Sequence, residues 1–78
     1  MPKLHDRIKQ SCDRYIDRAI EEGHLEKSLH FCLARRQFYR QILGPDDLTP
    51  MDKRECILQI RKLTYTIDKM EELLNLSL

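Results

Sequence analysis

Cysteine, histidine and a run that mixes arginine with aromatic residues are the side chains of this 78-residue chain whose types could do chemistry. His5, His24 and His30 are never four residues from one another or from Cys12, Cys32 or Cys56. The spacing that sets two zinc ligands on one helix face is therefore missing. Cys12 and Cys32 could meet, with His30 nearby, if the first two helices fold back on each other, and would then suit a metal or a Cys–His nucleophile. Burial explains the same cysteines more simply, because each occupies an apolar helical position where a free thiol behaves as a small hydrophobe. Two glycines are too few for a phosphate-cradling loop. The Asp46-Asp47-Leu48-Thr49 segment lacks the spaced oxygens of a calcium loop. The expectation is no catalytic residue, no metal, no cofactor and no small-molecule substrate.

Arg35-Arg36-Gln37-Phe38-Tyr39-Arg40 interleaves guanidinium groups with aromatic rings, and no acidic residue lies between Lys27 and Leu43. Guanidinium and ring together grip phosphates and stack on bases. The same pair also anchors protein interfaces. A third reading is a solvated basic face, balanced by Asp46, Asp47 and the acids of neighbouring helices. The net charge of +1, from 14 basic and 13 acidic side chains, counts against a long nucleic-acid footprint, whose affinity comes from neutralising phosphates. A protein partner therefore ranks first, and a nucleic acid met through the basic patch of Arg35, Arg36 and Arg40 ranks second.

The elements that must carry these residues read as helices, since no segment alternates with period two. Leu4, Ile8, Cys12, Tyr15, Ile16, Ala19 and Ile20 recur at three and four, predicting a helix over about 3–22 with one buried stripe. Gly23 suits a left-handed stop. A second helix over about 24–43 ends at Gly44-Pro45. If it merely continued the first, apolar positions would project onto Glu26, His30, Gln37 and Gln41, so a turn at Gly23 is favoured over one long hairpin arm. Thr49 reads as the N-cap of a third helix over about 50–75, with Pro50 in its first position and Asp52 three residues after the cap. Cys56, Ile60, Leu63, Ile67, Met70 and Leu74 then form a heptad-like seam. The fold class is all-α: one domain over residues 1–78, a small antiparallel three-helix bundle, with a helical hairpin as the alternative.

The second helix is apolar on two sides. Leu25, Leu29, Cys32, Tyr39 and Leu43 form one stripe, with Leu33 at its edge; Phe31, Ala34, Phe38 and Ile42 form another, roughly opposite. Either the two neighbouring helices each cover a stripe, or the second stripe meets another chain. Leu73-Leu74-Asn75-Leu76-Ser77-Leu78 is a leucine-rich end that could dock in the same way. The expected protein-binding residues are Phe31, Phe38, Tyr39, Ile42, Leu73 and Leu76. They fit a non-enzymatic interaction module, an adaptor, co-chaperone or regulator, that buries an apolar helix face against a partner or a second copy of itself. In size and plan the chain is similar to small helical co-chaperones of bacterial type III secretion and to small phage-encoded regulators. That resemblance implies helical hairpins that bury a partner's apolar helix, and it carries over no individual residue.

No apolar run reaches the roughly 18 residues of a membrane span. The first residues lack the apolar stretch of a secretion signal. An odd number of widely spaced cysteines suits a reducing compartment. The expected location is the cytoplasm.

Overall fold

The computed structural model describes residues 4–44 and 49–76, with side chains through Asn75. Three helices account for most of them: α1 (Asp6–Glu21), α2 (Leu25–Leu43) and α3 (Pro50–Leu76). The expected helices are all present, with ends displaced by at most three residues. The largest displacement has a local cause. His5 is extended, and its Nδ1 accepts the Arg7 backbone N–H at 3.2 Å, so the helix starts at Asp6.

Between α1 and α2 the chain breaks, which removes the single-hairpin alternative. Gly23 adopts φ +72°, the only positive φ among the described residues. His24 N–H donates to Ala19 O at 3.0 Å and Gly23 N–H to Ile20 O at 3.1 Å, the paired bonds of a left-handed helix stop. At the start of α3 the Asp52 N–H donates to Thr49 Oγ1 at 3.2 Å, so Thr49 is the N-cap. The Asp46-Asp47-Leu48 loop, and Pro45 of the expected stop for α2, lie outside the described residues.

Neighbouring contacts give the helix directions. Cys12 Sγ lies 3.8 Å from Lys62 O, while Asp13 Oδ1 accepts from Tyr65 Oη at 3.1 Å and Lys69 Nζ at 3.3 Å. Numbers rise together along α1 and α3, so these two helices are parallel. Moving from Leu29 to Arg36 on α2 leads from Ile67 and Met70 back to Thr64 on α3, so α2 is antiparallel to both. The helices form an up-down-up bundle about 43 Å long, close to the length of α3 at 1.5 Å per residue. α2 and α3 make the principal pair, and α1 packs more sparsely against them.

Ile16, Ala19, Leu29, Cys32, Ile67 and Met70 form the core, with Leu25, Leu33, Leu63, Leu73 and Leu74 packed around it. Ile67 and Met70 are fully sealed. The buried hydroxyls are paired: Thr66 Oγ1 donates to Lys62 O at 2.9 Å, and Ser28 Oγ lies 3.0 Å from His24 Nδ1. The apolar stripe of α1 is wider than the bundle can cover. Cys12, Ile16 and Ala19 along its middle are buried, but Tyr15 and Ile20 at its two edges remain 40% and 48% exposed. One buried stripe across all seven positions is thus corrected to a narrow buried centre with exposed margins. No helix among the described residues is long and apolar enough to cross a membrane.

Candidate functional site

Helix α2 turns its two apolar stripes to different environments. The Leu29/Cys32 stripe enters the core. Across the helix, Phe31 is 58% and Phe38 51% exposed, and Ala34 between them is exposed as well. These three positions, spaced by three and four, lie on one side of the helix. Neither α1 nor α3 covers them. Tyr39 and Ile42 are half-buried along the margin of the same surface. The rings of Phe38 and Tyr39 meet edge to face, with centroids 5.8 Å apart and planes at 70°.

The three arginines of the basic run do not form one patch. Arg35 lies along α2 with its guanidinium 6.0 Å from the Phe31 ring centre and 5.4 Å from that of Tyr39, and it donates to the Tyr39 hydroxyl at 3.2 Å. Arg36, half-buried, turns to α3 and donates to Thr64 Oγ1 at 3.3 Å. Arg40 is exposed. Consecutive helical residues point about 100° apart, so Arg35 and Arg36 serve different faces.

Beside the exposed aromatics, all three helices border an open groove of about 250 Å³. Its walls come from Cys12 and Tyr15 of α1, Phe31, Cys32 and Tyr39 of α2, and Leu63 of α3. Arg35 and Lys62 also border it, with the polar Ser11, Gln59 and Thr66, and no carboxylate among the described residues lines it. Tyr15 and Lys62 were not among the sequence candidates. Tyr15 reads as core from its spacing, and only the tertiary arrangement brings Lys62 opposite α2. A second groove of about 530 Å³ lies on the opposite face of α3, between Leu4, Leu43, Ile57 and Ile60, but carries charges of both signs in Arg61 and Asp68.

Leu73 is half-buried and packs against the core. Leu76 closes α3, and its side chain lies outside those described, as does Leu78.

The cysteines are free and buried. Burial pushes the Cys32 thiol above its ordinary pKa, and nearby Cys12 adds to this against the lowering effect of the Tyr15 hydroxyl. Burial likewise raises the Tyr15 hydroxyl, with Cys32 adding to the effect. A thiol held protonated is a poor nucleophile and a poor metal ligand. His30, two residues from Cys32, points to the far side of α2, where its Nε2 lies 3.9 Å from Glu26 Oε1. Among the described residues, no group of three or more His, Cys, Asp or Glu side chains is placed to hold a metal ion. A comparison with protein families, curated proteins and solved structures finds no match to this chain.

Proposed function

We propose that this protein is a non-enzymatic interaction module of the cytoplasm, a small helical adaptor, co-chaperone or regulator, that buries the outer face of α2 against another polypeptide. One observation carries the reading: Phe31 and Phe38, two turns apart on one side of α2, are each more than half exposed. A chain this short has little apolar material to spare, so leaving both phenylalanines in water is a cost that a partner would remove. Burying about 400 Å² of apolar surface there is worth roughly 10 kcal/mol before the costs of association. The flanking Arg35 and Tyr39 are residue types that concentrate binding energy at interfaces. Three buried free thiols suit a reducing compartment.

The test is to compare the wild type with Phe31→Ser and Phe38→Asp in affinity capture from the native host, followed by intact-complex mass measurement and light scattering. A polypeptide bound by the wild type, or a self-association, should be lost in both variants while circular dichroism keeps its helical signal. Complexes that persist unchanged in both variants would overturn the reading.

A further inference from the structure

We infer that the occupant of this face is an acidic, amphipathic helix of a different protein, one apolar side chain of which enters the groove between α1 and α2 while its carboxylates meet Arg35 and Lys62. The inference rests on the interaction reading above and adds the chemistry of the partner.

Charge is the reason. The groove is lined mainly by apolar and aromatic side chains, with Ser11, Gln59 and Thr66 among them; its two charged residues, Arg35 and Lys62, are both positive, and no carboxylate among the described residues lines it. The flank of α1 that supplies Ser11 and Tyr15 to the groove also carries Arg7, Arg14 and Arg18, which follow at helical spacings and are all exposed. On α2, Lys27 stands one turn before Phe31 and is also exposed. Acidic side chains on this side stand toward its two ends: Glu21 and Glu22 near Gly23, where Glu22 is engaged by His24 and faces Arg18 at 4.0 Å, and Glu55 on α3, which accepts from the groove-lining Gln59 amide at 2.9 Å. Asp13 is turned to the other flank of α1, where Tyr65 and Lys69 hold it. A chain of net charge +1 thus presents, around a mainly apolar groove, a margin on which basic side chains outnumber acidic ones.

The alternatives fit less well. A second copy docking the same face about a two-fold axis would set Arg35 and its neighbouring cations against their own equivalents, and like charges across an interface are costly. A nucleic acid would need open ring faces for base stacking, but Arg35 already lies over both Phe31 and Tyr39. At about 250 Å³ the groove falls below the usual range of small-molecule pockets and suits an inserted side chain.

Two labelled synthetic helical peptides test this, with leucines at the same positions and with glutamates in one replaced by lysines in the other. A single-stranded oligonucleotide serves as the third probe, and fluorescence anisotropy reads binding. The acidic peptide should bind and the lysine peptide should not. Arg35→Glu and Lys62→Glu should each weaken the acidic peptide about tenfold. Arg54→Glu, an exposed charge reversal at the start of α3, should leave it unchanged. Equal binding of both peptides, lost in Phe31→Ser, would overturn the acidic partner and leave the interaction face standing. Self-association lost in Phe31→Ser would do the same. Tighter binding of the oligonucleotide, or binding of no probe with the protein monomeric throughout, would overturn both.

Discussion

Arg35 and Tyr39 stand one turn apart on α2, and the guanidinium of the first lies 5.4 Å from the ring centre of the second while donating to its hydroxyl at 3.2 Å. A long side chain that would otherwise sample many rotamers is thereby held along the helix surface, beside Phe31 and over the rim of the groove. Less rotamer entropy then remains to be lost when a partner arrives.

Tyr39→Phe keeps the ring and removes the hydroxyl. Because the contact is near the surface, unfolding by urea should show a change of less than about 1 kcal/mol. Arg35 should nonetheless become more mobile, visible as faster side-chain motion in NMR relaxation. A loss of several kcal/mol in stability would mean that the contact is structural.

Core and face should separate cleanly under substitution. Ile67→Ala or Met70→Ala removes a fully sealed side chain and should cost about 2–5 kcal/mol. For a domain this small that is much of the total stability, so the variants should be largely unfolded or melt far below the wild type. Phe31→Ser should change stability by no more than about 1 kcal/mol, because more than half of that ring is already in water. Denaturant unfolding of the three variants side by side checks the contrast.

At the α1–α2 junction, Gly23 needs a left-handed backbone, and a Cβ there would meet no atom within 4 Å. Gly23→Ala should therefore cost only the backbone term, about 1 kcal/mol, or a fall of about 4–8 °C in Tm. Gly23→Asn should cost less, since asparagine tolerates this region better. Equal melting temperatures for wild type and Gly23→Ala would contradict the observed turn.

The N-cap of α3 offers an independent measurement. Thr49→Ala leaves the Asp52 N–H without its side-chain acceptor and should cost about 1 kcal/mol in urea unfolding. Thr49→Ser keeps a hydroxyl acceptor and should avoid most of that loss.

Stability should fall in alkali. The folded state raises the pKa of both the Cys32 thiol and the Tyr15 hydroxyl, chiefly by burial. Above about pH 8.5 an unfolded chain releases the thiol proton while the folded chain retains it. The unfolded state then binds fewer protons, so unfolding becomes easier as pH rises. This contribution is complete below the ordinary thiol pKa and is lost as pH passes through the raised one; Tyr15 acts in the same sense at higher pH. Urea midpoints at pH 7 and pH 10 should show the drop, and Cys32→Ala should reduce it between pH 8 and 10.

Most of the architecture was legible because its signals are local. Gly23 ends α1 through its own backbone freedom, and Thr49 with Pro50 starts α3 through one side-chain acceptor and a missing N–H. The seam from Cys56 to Leu74 follows from helical period alone, although only Cys56, Ile67 and Met70 along it are fully buried. The start of α1 was harder to place, since histidine is an unusual cap and its bond to Arg7 N–H has no composition signal.

By itself the sequence determined how many helices form, where they break and that α2 is apolar on two sides, because period and backbone preference act within a few residues. Tertiary structure alone decided which stripe stays in water, that Arg36 bonds Thr64 while Arg35 lies along the groove, and that Tyr15 and Lys62 border it. Three rods of this length carry more apolar surface than their mutual contacts can cover. Which part remains exposed depends on how closely α1 approaches the α2–α3 pair, a distance between segments far apart in the chain that no local pattern encodes.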